Sequence, residues 1–203
     1  MTAQVEQQGR NARRPIWILI ALFFAPLALA FLLYYGLHGW RPAGSTNRGD
    51  LIDPPRALPA VTLRTLKGDG LTIASLQGKW TFVYIGAGAC DTRCHEALTL
   101  MRQTRLALND KMTRVHRVFL ATGECCDEAY LDSEHEGLIT AEVAADSGLV
   151  RTFASTADET VEQAGRIYIV DPLGNLMMSY EAGAPEKGLL EDMKKLLKLS
   201  HIG

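Results

Sequence analysis

Residues 16–35 form an unbroken apolar run, Ile-Trp-Ile-Leu-Ile-Ala-Leu-Phe-Phe-Ala-Pro-Leu-Ala-Leu-Ala-Phe-Leu-Leu-Tyr-Tyr, with no charge inside it. At ~1.5 Å rise per residue, about twenty residues cover the ~30 Å hydrocarbon core of a bilayer, so this run has the length of a spanning helix. Trp17 at one end and Tyr34, Tyr35 and Trp40 at the other suit the two interfaces. Pro26 is tolerated in membrane helices although it would kink a soluble one. Ala28-Leu29-Ala30 imitates a signal-peptide cleavage site, yet Phe31-Leu32-Leu33-Tyr34-Tyr35 carries the apolar run past it. A core helix of a soluble domain would need a polar face, and this run has none. The expectation is a single uncleaved anchor over 15–36, preceded by a short cytoplasmic tail, 1–14.

Arg10, Arg13 and Arg14 precede the span, while Arg41 and Arg48 follow it at greater average distance. The positive-inside rule then places the large C-terminal part outside the cytoplasm, in the periplasm of a bacterium with the anchor in its inner membrane. A disulfide-competent pair of cysteines agrees, because disulfides persist in oxidising compartments. The formal charge of −2 is spread over interspersed acids and bases. No basic stripe exists, so nucleic acid is not an expected partner; the bilayer, through 15–36, is.

Gly39, Pro42, Gly44, Ser45, Gly49, Pro54 and Pro55 punctuate 37–58 without an apolar period, which reads as a linker. The remaining 59–203 is ample for one core. Residues 61–65 alternate like a strand, and 71–73 pair back across the turn Lys67-Gly68-Asp69-Gly70. Residues 80–85, Trp-Thr-Phe-Val-Tyr-Ile, read as a covered central strand, 96–108 as an amphipathic helix, and 115–122 as a second buried strand. Strand, helix and strand in that order imply a parallel pair joined by a right-handed crossover. A short strand at 138–143, a short helix at 148–154, a hairpin turning at Asp171-Pro172-Leu173-Gly174 and a terminal helix at 186–200 complete the pattern. The fold class is therefore α/β, a thioredoxin-like central mixed β-sheet flanked by helices, behind a single N-terminal transmembrane helix.

Cys90 and Cys94 lie in Gly86-Ala87-Gly88-Ala89-Cys90-Asp91-Thr92-Arg93-Cys94-His95, where the first central strand hands over to the helix. Two thiols at this point can form a disulfide or jointly hold a metal, and a helix N-terminus favours the thiolate. Two small buried hydrophobes are the plain alternative, disfavoured by the surrounding glycines.

At these residues the chain resembles the Sco (SenC) family of membrane-anchored thioredoxin-fold proteins, which assist assembly of the copper site of cytochrome c oxidase. The likeness rests on C-x-x-x-C in Cys90-Asp91-Thr92-Arg93-Cys94 after Gly78-Lys79-Trp80-Thr81-Phe82-Val83-Tyr84, where ordinary thioredoxins have two intervening residues. Ile167-Tyr168-Ile169-Val170-Asp171-Pro172-Leu173-Gly174 is similar to the family's late hairpin, without the cis-proline strand of thioredoxins. The resemblance implies copper held by the two cysteines and a histidine shortly before the late strand. Counting back from Pro172 and Gly174 puts that position near Gln163, and 159–166 contain no histidine. A Gln amide is a poor ligand for soft Cu(I). The proline usual after the first cysteine is replaced by Asp91.

The leading reading is thus thiol–disulfide exchange, with Cys90 as the exposed sulfur and Cys94 as the resolving one, acting on an oxidase subunit that carries the copper site or on another assembly factor. Copper remains the candidate cofactor, with Cys90 and Cys94 as candidate metal ligands and the third ligand open. A copper(I) metallochaperone with atypical ligands and a non-catalytic oxidase assembly factor are the alternatives. Cys125 and Cys126 follow the second parallel strand and fall on the same sheet edge; they read as a resolving pair, as extra soft ligands, or as a structural disulfide or incidental thiols in a mobile loop, the last being favoured. Adjacent cysteines bond to each other only across a strained peptide, so such a bond is not expected. Arg93 is placed to tune the site, His95 to face solvent beside it, and His135 to sit as a bystander in the acidic stretch 128–136. His116 is expected at the surface or an edge, and Met177 and Met178 in packing.

Overall fold

In a computed structural model, residues 3–36, 46–154, 160–200 and 202 are described. The chain divides into two units, 1–45 and 46–203. The described residues of the first form a helix, α1 (Ala3–Gly36), which contains Pro15 and Pro26. The helix therefore runs on through the stretch read as a tail. Its Pro15–Gly36 part is long and apolar enough to cross a membrane. Trp17, Leu22, Phe23, Phe31 and Tyr34 are exposed around it. A helix apolar on every face needs a non-aqueous surrounding, which lipid supplies.

In the second unit, alternation of side chains along two central strands builds two core layers. β4 (Trp80–Ala87) and β5 (Val115–Thr122) pair in parallel from Trp80↔Val115 to Ala87↔Thr122. Phe82, Tyr84 and Phe119 point to one face, and Val83, Ile85, Val118 and Leu120 to the other. The first face is covered by α2 (Thr92–Ala107) and α6 (Glu186–Leu199) through Leu98, Met101, Leu189 and Met193. The second is covered by Leu149, Val150 and Phe153 of α4 (Gly148–Phe153) and by Val161 of α5 (Val161–Ala164). Each large side chain so buried stabilises the fold by about 1.5–3 kcal/mol.

The remaining strands are β1 (Asp50–Ala57), β2 (Thr62–Thr65), β3 (Gly70–Thr72), β6 (Ile139–Val143), β7 (Arg166–Val170) and β8 (Asn175–Glu181). They complete one eight-stranded sheet in the order β1-β8-β7-β4-β5-β6-β2-β3. The sheet is mixed: β4, β5 and β6 run parallel, and β7 lies antiparallel to β4. A short helix, α3 (Glu128–Glu134), links β5 to β6.

The linker expected over 37–58 is corrected in its described part, 46–58. Residues 50–57 form β1, which pairs with β8 across a register shift between Leu51 and Arg56. Pro54 and Pro55 sit within that shift, where missing N–H donors break no ladder bond. An ion pair from Asp50 to Arg166 and bonds from Arg56 Nη1 to the carbonyls of Thr152 (3.1 Å) and Ala154 (2.6 Å) fasten the strand. In β8, a shift opposite Ile169 and Val170 lets Met177 and Met178 pack against the same core face.

Candidate functional site

The parallel register of β4 and β5 makes both strands end on one rim of the sheet. The ladder extends by one bond, Gly88 N–H to the Thr122 carbonyl at 2.9 Å, and the chains then diverge into loops carrying Cys90 and Cys125-Cys126. Gly88 is where these loops press together. A Cβ there would stand 2.7 Å from both the Cys125 Cα and the Glu124 carbonyl carbon, and nearer still to the Glu124 oxygen. Only glycine fits.

Cys90 and Cys94 are joined in a disulfide, with Cα atoms 5.1 Å apart. Cys90 closes a turn, its N–H bonded to the Ala87 carbonyl at 3.0 Å, and holds a left-handed φ of 45°. A non-glycine residue in that region carries a local conformational cost, a feature that gathers at functional sites. Asp91 then caps α2, its Oδ1 accepting the Cys94 N–H at 2.9 Å. This explains a polar residue where the resemblance leads one to look for proline: it starts the helix. Cys94 is buried, only 2% exposed, in the core beneath α2, whereas Cys90 is half-buried at the surface.

Arg93 projects from between the cysteines to two neighbours. Its Nε lies 3.8 Å from an Asp91 oxygen, and its Nη1 donates to the Gln163 carbonyl at 3.2 Å. The turn before β7 therefore does lie beside the cysteine loop. The Gln163 side chain is engaged elsewhere, in a capping box with Thr160: its Oε1 accepts the Thr160 N–H at 3.4 Å while its own N–H donates to Thr160 Oγ1 at 3.3 Å. Beneath the loop, Tyr84 has its phenol pushed up by burial and by the Asp91 charge, with Arg93 opposing.

Cys125 and Cys126 are also disulfide-bonded, to each other, which corrects the expectation that adjacent cysteines would stay apart. The peptide between them is cis. A cavity of about 160 Å³ opens between the loops, and Cys90, His95, Cys126 and Tyr130 all line it. His95 thus faces this cavity. Its ring meets the Tyr130 ring edge-on, centroids 4.6 Å apart, and the Tyr130 hydroxyl lies 3.1 Å from His135 Nε2.

His135, expected in an acidic loop, is buried, 2% exposed. α3, capped by Asp127, folds the acidic stretch back and tucks the imidazole under it. Burial, then the Arg117 and Arg102 charges, hold it below the usual histidine range. Arg117 is itself buried and lowered to about 10, first by burial and then by Arg105 and Arg102. Its Nη2 donates to the Glu136 carbonyl at 2.6 Å. His116 lies near the opposite end of β5, away from the site. Gly88 and Tyr130 belong to the site although no sequence motif singles them out. The glycine sandwich around Ala87 and the Asp127-to-Tyr130 capping interval are the available signals.

The profile of a family described as "transmembrane-like, thioredoxin-like, C-terminal domain" matches residues 80–200, from the start of β4 through α6. The chain belongs to that family. No curated protein matches it in sequence. Among solved structures, yeast Sco1 with copper bound aligns at 18% identity and a TM-score of 0.60, covering 72% of this chain and 95% of that one. BsSco, described as a member of the Sco family of cytochrome c oxidase assembly proteins with a disulfide switch, aligns at 15% identity and 0.57, covering 74% and 99%. The thioredoxin domain of a thiol-disulfide oxidoreductase from Bacteroides vulgatus aligns at 18% and 0.52, covering 69% and 94%. These likenesses carry the thioredoxin-like fold of this family member, and the resemblance to Sco proteins holds at that level.

Copper in the yeast structure raises the question of whether the donors here would hold it. Among the described residues, no group of three or more His, Cys, Asp or Glu side chains converges on one point. In the disulfide form both sulfurs at the helix start are unavailable as ligands, and the amide at Gln163 closes a helix cap.

Proposed function

We propose that this chain is a membrane-anchored thiol–disulfide oxidoreductase that assists assembly of cytochrome c oxidase from the periplasmic face of a bacterial inner membrane. The observation that carries the reading is the Cys90–Cys94 disulfide at the start of α2, with its first sulfur half-buried at the rim and its second sealed in the core. That asymmetry dictates the order of events. A substrate thiolate attacks Cys90 Sγ; the disulfide breaks, and Cys94 leaves as a thiolate that takes up a proton. The second substrate thiol attacks its partner sulfur in the mixed disulfide and releases Cys90, whose negative charge the α2 N-terminus stabilises. The substrate leaves oxidised, two electrons remain on Cys90 and Cys94, one proton remains on Cys94, and the other goes to solvent. The reverse sequence reduces a substrate disulfide through the same intermediate.

The resemblance to Sco proteins supports an oxidase subunit bearing a copper site, or another assembly factor, as the dithiol partner. The arginines before the span support the periplasmic orientation. The test is exchange between the full chain and a dithiol peptide with the sequence of an oxidase copper-site loop, followed by mass spectrometry. Cys90→Ser should abolish exchange, and reduced Cys94→Ser, mixed with the same peptide in its disulfide form, should halt at a trapped mixed disulfide on Cys90. Unchanged oxidase maturation in cells carrying either variant refutes the proposal. Titrating the reduced chain with Cu(I) against a competing chelator decides the copper reading: stoichiometric binding lost in Cys90→Ser would establish it in place of exchange.

A further inference from the structure

Cys125–Cys126 closes almost no loop. A disulfide stabilises a fold mainly by restricting the unfolded chain, and the effect grows with the number of residues enclosed. Adjacent residues are already tethered by their peptide, so this bond adds little that the backbone does not supply. Its surroundings point instead to chemistry. Cys126 and Cys90 line one cavity of about 160 Å³. The backbones behind them are pressed together at Gly88, which leaves no room for a methyl group. All four sulfur-bearing residues pack against the same core layer.

We propose that Cys125–Cys126 is a second redox pair, exchanging electrons with Cys90–Cys94 through a Cys90–Cys126 mixed disulfide. The inference rests on Cys90 and Cys94 being the exchanging pair. Once a substrate dithiol has reduced that pair, the Cys90 thiolate attacks Cys126 Sγ, the 125–126 bond breaks, and Cys125 departs as a thiolate and is protonated. Cys94 then attacks Cys90 Sγ, re-forming the Cys90–Cys94 disulfide and releasing Cys126 as a thiolate that is protonated in turn. Two electrons have moved from the first pair to the second, one of the two protons taken up coming from Cys94 and the other from solvent, and the outer pair is ready for another substrate dithiol. His95, on the wall of the same cavity, is placed to relay the protons. The protein then accepts electrons from two substrate dithiols before it needs an external acceptor.

The double variant Cys94→Ser/Cys125→Ser leaves Cys90 and Cys126 as the remaining thiols. Under mild oxidation of the full chain in detergent, peptide mapping should find Cys90 bonded to Cys126 within one molecule as the main product. Cys90→Ser/Cys126→Ser, which leaves Cys94 and Cys125, should give only adducts with the oxidant. In single-turnover mixing with the dithiol peptide, the wild-type chain should oxidise two equivalents and Cys125→Ser/Cys126→Ser one. If the trap gives only oxidant adducts or dimers, or if both proteins oxidise one equivalent, the second pair is not in exchange. If the wild-type chain oxidises no peptide at all, the failure lies with Cys90–Cys94 as the working pair.

Discussion

Gly88→Ala tests the contact that brings the two cysteine loops together. The new methyl carbon would lie 2.7 Å from the Cys125 Cα and the Glu124 carbonyl carbon. Carbon atoms rest at ~3.5 Å or more, and the Glu124 oxygen is nearer still, so the loops have to part by more than about 0.8 Å. Both obstructing groups are backbone, so no side chain can swing aside. Overpacking of this kind costs about 1–3 kcal/mol. For a unit the size of residues 46–203, each kcal/mol lowers Tm by about 2–4 °C, so a mid-range cost of ~2 kcal/mol predicts a fall of about 4–8 °C. Scanning fluorimetry of the full chain in detergent measures it. Gly123→Ala is the control. Gly123 has a φ of +69° and nothing within 4 Å of its Cβ position, so its alanine strains the backbone without wedging the loops. Only Gly88→Ala should therefore also lower the yield of the Cys90–Cys126 trap. A Gly88→Ala protein with wild-type Tm and wild-type trap yield would show that the loops do not meet there.

Asp192 is buried in α6, and its Oδ2 accepts the Arg48 N–H (2.6 Å), the Gly49 N–H (3.2 Å) and the Tyr180 hydroxyl (2.7 Å). Burial raises its pKa, but the bonds from Tyr180, Arg48, Gly49 and Lys195 outweigh burial and hold it below the ordinary carboxylate value. The resulting stability is complete above the unfolded pKa of ~3.9 and is lost as pH falls through the folded one. Asp192→Asn should cost about 1.5–3 kcal/mol at pH 7 by urea unfolding and should flatten the acid limb below about pH 4; an unaltered acid limb would contradict this. His135, held below its usual range, stays neutral while the unfolded chain takes up a proton below ~6.5. Stability should therefore be full above ~6.5 and decline toward pH 5, by at most ~1.4 kcal/mol per pH unit. His135→Gln, which keeps a partner for Tyr130, should reduce that slope, and equal slopes in both proteins would refute the assignment.

The central strands and the helix between them are legible in the sequence because their apolar periods are uninterrupted: the run 115–122 has the same bounds as β5. β1 escapes because Pro54 and Pro55 signal a break, and a pair with β8 whose register shifts between Leu51 and Arg56 can still accommodate them. At the site, the spacing of Cys90 and Cys94 can be read locally, and the absence of histidine around Gln163 by counting. The burial of His135 cannot, since it depends on α3 folding back over β5. Nor can the role of Gly88, whose neighbour Cys125 is 37 positions away and is brought close only by strand pairing.

Strand β1, with two prolines in its length, also bears on how partners can approach. A sheet margin recruits another chain by offering a row of free N–H and C=O groups. One outer margin here is broken by Pro54, Pro55 and an irregular register, and the other, β3, is three residues long. Neither makes a good template for strand addition. With strand addition disfavoured at both margins, a partner polypeptide that reaches the sulfurs meets them at the rim where β4 and β5 end.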